Sequence, residues 1–258
     1  MRMARPVDEM NEAEVMAQLA TVEHWYHPIE LRPGLFTPGH NGAGHVLKLL
    51  DLPEDCSGLR VLDLGARDGY FTFEMERRGA DVTAIDYLPD TTTGFRVCAD
   101  LLGSKAKFIH ANIYDITPED FGTFDIVLFL GLIYHLPDPL EALHRVRSVA
   151  RGRLCLESHV IDNALMLEDG TTVSLASIAP GLERLPLMQF FKGGVLRGDP
   201  SNYWGPTLVA LEAMATEALF HVTSSTHIGD RGIVNATVTE NEQTAKWNRL
   251  SRAKHGGD

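Results

Sequence analysis

The chain has no uninterrupted apolar run approaching the roughly 20 residues that a membrane-spanning helix needs. Its opening, MRMARPVDEMNEAE, carries acids where a secretion signal would be apolar, so a cytoplasmic protein without a membrane partner is expected. Cysteine is scarce: Cys56, Cys98 and Cys155 form an odd and widely spaced set of 3. That set excludes a disulfide framework and a CxxC metal or redox pair, and the three read as buried thiols. Positive charge is also short. Lys and Arg number 23 against 35 Asp and Glu, a net charge of −12, and such a chain repels polyanions unless its cations are gathered. The nearest approaches to a basic run are Arg77-Arg78 and the tail from Lys246 to Lys254, which reads as a solvated end. Nucleic acid is therefore not an expected partner. Internal repeats and low-complexity tracts are missing as well.

What is present is an ordinary globular composition, with 44% apolar and 22% charged residues among 258. That length fits one α/β core with an insertion better than two domains. From about residue 59 to 158, strand-like apolar runs alternate with amphipathic stretches, the pattern of βαβ units on a parallel sheet. Strands are expected at Arg60 to Leu64, Val82 to Ile85, Phe108-Ile109, Asp125 to Leu130 and Leu154 to Leu156. The first helix should run from about Tyr70 to Arg78 and stop at Gly79, a left-handed cap. Asp90 is placed to cap the next helix. Leu140 to Val149 reads as a helix with Leu140, Leu143 and Val146 on one side, and Thr207 to Leu219 as the last helix. His221 to Thr226 and Ile233 to Thr239 fit an antiparallel hairpin at the sheet edge. Residues 163 to 205 hold Gly, Pro and scattered apolar residues without a period, in a span too long for a connection, and are expected to form a substrate lid. Residues 1–58, with a helix at 10 to 20 and the segment EHWYHPIELRPGLFTPGH, stand before a core at 59–258.

Gly65-Ala66-Arg67-Asp68-Gly69 follows the first strand. Glycines there let backbone approach a ligand closely and aim helix N–H groups at it. Asp63, two positions before Gly65, is placed to hold an amino group of that ligand. Asp86 ends the second strand, where a carboxylate accepts both hydroxyls of a ribose. A dinucleotide dehydrogenase would want G-x-G-x-x-G, but Tyr70 and Phe71 follow Gly69 with no third glycine in register.

The segment VLDLGARDGYF resembles the first motif of class I S-adenosylmethionine-dependent methyltransferases, apolar-apolar-Asp-x-Gly-x-Gly-x-Gly. Arg67 stands where the middle glycine would be. The resemblance implies a Rossmann-like α/β fold: a mostly parallel seven-stranded sheet, helices on both faces, and the lid inserted after strand five. It implies S-adenosyl-L-methionine as cofactor, held by Asp63, Gly65, Arg67, Gly69 and Asp86, with Asn112 and Ile113 at the adenine and Leu130 and Gly131 flanking the donor. The segments HWYHPIEL, ERRGA, LIYHLPDPLEAL, LCLESHVID and NYWGPT together resemble a subgroup that includes the tRNA wobble-uridine carboxymethyltransferases, and among sugar-directed relatives the glucosylglycerate O-methyltransferases.

An alcohol acceptor must lose a proton during methylation, and a neutral His suits that near neutral pH. His135 is the first candidate because it follows strand four beside the donor, although it also reads as a helix cap. His144, one turn beyond Leu140, comes second. Glu157 is a third candidate for catalysis. With His159 and Asp162 it could hold a divalent cation such as Mg2+, on a spacing that matches no diagnostic motif. Trp25, Tyr26 and His27, with Tyr134, Tyr203 and Trp204, offer rings and polar edges to a sugar, and the same residues serve elsewhere as packing anchors. Arg32, Lys192 and Arg197 are candidate anchors for a small carboxylate, and Glu30 and Asp199 candidate acceptors for sugar hydroxyls. The expectation is O-methylation of a small sugar-derived acceptor such as glucosylglycerate. Its rivals are tRNA (carboxy)methylation and a donor-binding pseudo-enzyme, the latter favoured by Arg67 alone. A homo-oligomer is left open.

Overall fold

The computed structural model describes residues 6–239, so the basic tail from Lys246 to Lys254 lies outside the described residues. Seven strands form the central sheet: β1 Arg60–Leu64, β2 Asp81–Asp86, β3 Lys107–His110, β4 Phe124–Leu130, β5 Ala150–His159, β6 Phe220–Ile228 and β7 Arg231–Val238. Their order is β6-β7-β5-β4-β1-β2-β3. The pairs β3-β2, β2-β1, β1-β4 and β4-β5 are parallel, whereas β7 runs antiparallel to both β5 and β6. Strand order reverses between β1 and β4, the switch point beyond whose carboxyl ends ligands bind in open α/β sheets.

Period-two alternation explains how β4 serves two cores. Ile126, Leu128 and Leu130 pack with Val61, Val82, Met75 and Cys155 on one face, while Val127 and Phe129 join Leu62, Leu64 and Leu156 on the other. The second face is covered by α4 (Pro139–Val149) and α5 (Leu208–Glu217). Opposite them lie α1 (Glu12–Leu19), α2 (Tyr70–Arg77) and α3 (Phe95–Leu102), whose Val15, Leu19, Phe73, Phe95 and Leu101 cluster with Ala66 and Ala84. In α4 the buried stripe is Ala142, Leu143, Val146 and Val149. Leu140, expected on that stripe, is exposed.

Gly79 ends α2 with φ +91° as expected, and all three cysteines are buried free thiols. Asp90 does not cap α3, which begins after Gly94; its carboxylate pairs instead with Arg96. Residues 163–205 are more ordered than an aperiodic sequence suggests. They contain a hairpin of Leu165–Met166 with Thr172–Val173, a short helix Leu175–Ile178, and the strand Met188–Phe190, which pairs with Trp204–Pro206. Phe191 and Leu196 bury beside Ile161 in a small core of their own. No helix among the described residues is long and apolar enough to cross a membrane.

Candidate active site

The turn after β1 is held by the end of β2. Gly65 and Ala66 donate their N–H groups to the Ile85 carbonyl, at 2.8 and 3.2 Å. Asp86 then accepts from the Arg67 N–H at 2.8 Å and, with its other oxygen, from the Leu88 N–H at 2.9 Å. Gly65 and Gly69 have φ of +73° and +93°; a Cβ on Gly69 would lie 2.4 Å from the Phe73 ring, so glycine is needed there twice over. Arg67 keeps a left-handed φ of +49° without being glycine, a conformation that costs a side chain roughly 1–2 kcal/mol. Two bonds hold it there, from its N–H to Asp86 and from the Thr93 hydroxyl to its carbonyl, at 2.8 Å each.

The two carboxylates expected on the donor side are buried, and burial pushes their pKa values up. Asp63, 2% exposed and bonded by the Thr72 hydroxyl at 2.6 Å, is raised to about 6. Asp86 is raised by burial against the opposing pull of backbone N–H groups at Leu88 and Arg67. Each Asp86 oxygen accepts one backbone N–H and has further acceptor capacity. Ile113 is buried beside the turn after β3, while exposed Asn112 directs its side-chain oxygen to the Tyr114 N–H at 3.1 Å. Leu130 is 8% exposed at the end of β4, and the Leu132 side chain lies over Gly65.

Asp68, to which the sequence reading gave no role, organises the segment before the core. Fully buried, it accepts from the N–H groups of Tyr26 (2.6 Å), His27 (3.0 Å) and Gly94 (3.0 Å). That clasp lays Tyr26 under the Arg67 guanidinium, whose carbon sits 4.8 Å from the ring centroid. Its only signal in the sequence was an acid inside the glycine turn. Trp25 is a packing anchor: its ring meets Gly94 so closely that a Cβ there would lie 2.3 Å away, and its N–H donates to the Leu19 carbonyl. His27 is buried against Tyr70 and Phe71, and burial lowers its pKa to about 4. Arg32 is spent on the carbonyls of Val7 and Met10, and Glu30 accepts from the Gly34 N–H. These commitments remove Trp25, Arg32 and Glu30 from the acceptor side.

A short 3-10 turn, Ile133–His135, follows β4 and presents the acceptor side. His135 Nδ1 lies 2.9 Å from the Ser201 hydroxyl and 3.3 Å from the Ser201 carbonyl. The Ser201 hydroxyl donates to Asp199 at 2.6 Å, and Asp199 also accepts from the Ser201 N–H. Burial lowers the His135 pKa, with the Asp199 carboxylate opposing the shift and Arg231 and Arg67 adding to it. Segment 163–205 is anchored here through the Tyr203 N–H to the Tyr134 carbonyl (2.8 Å) and through the Trp204 indole N–H to the Pro137 carbonyl (3.1 Å).

Deeper in, Glu157 on β5 is 4% exposed and makes a two-pronged ion pair with Arg231 on β7. Arg231 also donates to the Tyr134 hydroxyl at 3.3 Å. Antiparallel pairing sets Arg231 opposite His159 and Ile233 opposite Glu157, so Arg231 shares a face with both Glu157 and His159. Arg231 was not anticipated; its one signal was a charge opening an apolar strand. Glu157 is thereby neutralised and corrected from its candidacy as a base. His159 stacks on Phe191, is lowered to about 4 by burial, and lies 3.4 Å from Asp230, which also pairs with Arg197. Asp162 accepts from the Leu208 N–H at the start of α5. Glu157, His159 and Asp162 therefore do not converge, and no group of three or more His, Cys, Asp or Glu among the described residues could hold a metal. Lys192 meets Glu168 at the surface, and His144 is exposed on α4; neither belongs to the cluster.

A mostly parallel sheet with this strand order, a glycine turn after β1 and a buried acid ending β2 form a class I methyltransferase architecture. Comparison with known proteins agrees: residues 42–191 match the model of a family described as a methyltransferase domain, and the chain belongs to that family. Among curated proteins, it is 29% identical over 103 residues to a ubiquinone biosynthesis O-methyltransferase of Vibrio parahaemolyticus, covering 40% of this chain and 44% of that protein. It is 34% identical over 97 residues to its counterpart in Xanthomonas oryzae, covering 38% and 39%. The matches thus span less than half of those relatives. Among solved structures, the N-terminal domain of EvdMO1, crystallised in the presence of S-adenosylhomocysteine and D-fucose, superposes with a TM-score of 0.61 at 17% identity, covering 90% of this chain and 98% of that one. An O-methyltransferase family protein from Burkholderia thailandensis gives 0.55 at 17% identity, over 78% and 57%. The chain therefore carries a methyltransferase domain with the fold of S-adenosylmethionine-dependent methyltransferases.

Proposed function

We propose that the enzyme methylates a hydroxyl oxygen of a small sugar-derived acceptor, of the glucosylglycerate kind, with His135 as general base and residues 163–205 as the lid over the acceptor. The observation that carries this reading is the bonding of His135. Ser201 gives its only hydroxyl proton to Asp199, so both Ser201 oxygens facing His135 can only accept. Nδ1 must then carry the imidazole proton, and Nε2 keeps its lone pair. Burial lowers the imidazole's pKa and keeps it neutral at physiological pH, the state a base requires.

When bound, S-adenosylmethionine supplies the electrophilic methyl group. The chain's own contribution is positional: Asp86 and the turn fix the donor, and the lid hairpin brings Tyr203 and Trp204 beside the His135 turn to exclude water. Oxygen as the accepting atom is supported by the names of the relatives. The exposed rings of Phe190 and Tyr26, with half-buried Trp204, suit the faces of a sugar. A net charge of −12 without a gathered basic face weighs against tRNA. Incubation with methyl-labelled donor and a panel of sugar acids, sugar alcohols, phenols and tRNA, read by mass spectrometry, tests the reading. O-methylated sugar derivatives are expected, and methylation of tRNA alone overturns it.

A further inference from the structure

Arg67 replaces a glycine in the donor turn, holds an unfavourable backbone conformation, and nonetheless projects a charged fork whose purpose the methyl-donor site does not explain. Its guanidinium carbon lies 4.8 Å from the Tyr26 ring centroid, a contact with a ring face and not with an anion. Its Nε is buried without a hydrogen-bond partner among the described residues, and no carboxylate there pairs with the side chain. The other cations near the acceptor side are committed: Arg231 to Glu157 and Arg197 to Asp230. The Arg67 charge acts on Asp86 as well as on His135, Asp199 and His27, so it stands between the expected donor and acceptor sides. Asp199 is held by the Ser201 N–H and hydroxyl rather than by Arg67.

We propose that Arg67 anchors a carboxylate of the acceptor, so that the enzyme selects hydroxy acids over neutral alcohols. The proposal rests on the O-methylation reading and deepens it by naming what the acceptor must carry. A planar guanidinium backed by an aromatic ring presents two parallel donors to a carboxylate. An overall charge of −12 would repel an acid, so a local cation is what an acidic acceptor needs. The same chemistry is carried by the methionine carboxylate of the donor, and the experiment separates the two.

Calorimetry of the wild type saturated with S-adenosylhomocysteine should show D-glucuronate binding more tightly than D-glucose, and D-glycerate more tightly than glycerol. The expected preference is about 10–100-fold, the range for hydrogen bonds to a charged group. Arg67→Gly fits the left-handed backbone without strain and should bring that preference close to one, while Arg67→Lys, which keeps the charge but loses the fork, should fall between. S-adenosylhomocysteine affinity should stay within about 2-fold in both variants, well under the factor expected for losing a charged hydrogen bond. A wild type without carboxylate preference, or an Arg67→Gly protein that loses donor-product affinity and keeps the preference, overturns the proposal. Because binding is read without turnover, the result is independent of whether His135 is the base.

Discussion

His135 and Ser201 are joined so that the serine can only accept: its hydroxyl proton is directed to Asp199 at 2.6 Å, and His135 Nδ1 approaches the oxygen at 2.9 Å. One residue of segment 163–205 thereby selects the tautomer of a side chain on the turn after β4. His135→Gln should lower turnover on the order of 10²–10⁴-fold while leaving S-adenosylhomocysteine binding unchanged. Ser201→Ala keeps the carbonyl acceptor at 3.3 Å and should reduce turnover less. Single-turnover kinetics with either variant, set beside calorimetry of the donor product, checks both. Near-normal turnover in His135→Gln removes the general-base role.

Asp86→Ala should weaken S-adenosylhomocysteine by about 1–3 kcal/mol, the range for stranding hydrogen-bonded groups. The carboxylate also holds the Arg67 and Leu88 N–H groups, so part of that loss is a loosened turn. Asp86→Asn keeps one oxygen for a backbone bond and should bind better than Asp86→Ala. Unchanged calorimetric affinity in a folded Asp86→Ala protein sinks the ribose assignment.

Glu157 and Arg231 form a pair with side-chain exposures of 4% and 20%. Removing one partner strands a desolvated charge, which costs about 3–5 kcal/mol, whereas an apolar pair of similar volume is often close to neutral. Glu157→Leu should therefore lower the denaturation midpoint sharply, and the double variant Glu157→Leu/Arg231→Met should recover most of the loss. A double variant as unstable as the single one would show that the ion pair itself stabilises the fold.

Local pattern made the first half of the sheet readable. Arg60–Leu64 agrees with its expected bounds because an apolar run there is closed by a glycine turn. The expected Leu154 to Leu156 proved to be Ala150–His159, since Arg151, Gly152 and Glu157 to His159 are polar or small and belong to the strand only through their pairing with β4 and β7. The positions of Asp63 and Asp86, buried at or near the ends of β1 and β2, were legible because the pattern that marks them sits within a few residues. The acceptor side was not. Ser201 reaches His135 across 66 residues and Arg231 reaches Glu157 across 74, and no spacing rule links them. The same blindness misassigned Arg32 and Arg197, whose charges looked free until the fold supplied the carbonyls and the carboxylate that take them.

Asp63 ties stability to pH in a direction opposite to the usual acid. Burial raises its carboxyl from 3.8 to about 6 in the folded protein. Between those values the folded state holds a proton that the unfolded state has released, so folding weakens as pH rises through the window and stays weakened above it. The limit is about 3 kcal/mol, at 1.36 kcal/mol per pKa unit. His27 and His159, both lowered to about 4, act the other way, withdrawing stability as pH falls from about 6.5 toward 4. They are common to wild type and variant and cancel in the difference. Asp63→Asn, isosteric and uncharged, should therefore be more stable than the wild type by about 1–3 kcal/mol at pH 7.5, with the gain shrinking toward pH 4. It should also bind S-adenosylhomocysteine more weakly, because an amide cannot pair with the ligand's ammonium group as a carboxylate does. Chemical denaturation of both proteins at pH 4.5 and 7.5 reads the first effect and calorimetry the second. A gain of equal size at both pH values would mean that Asp63 is not held as an ionised group against its burial, and the donor-side assignment would lose its electrostatic basis.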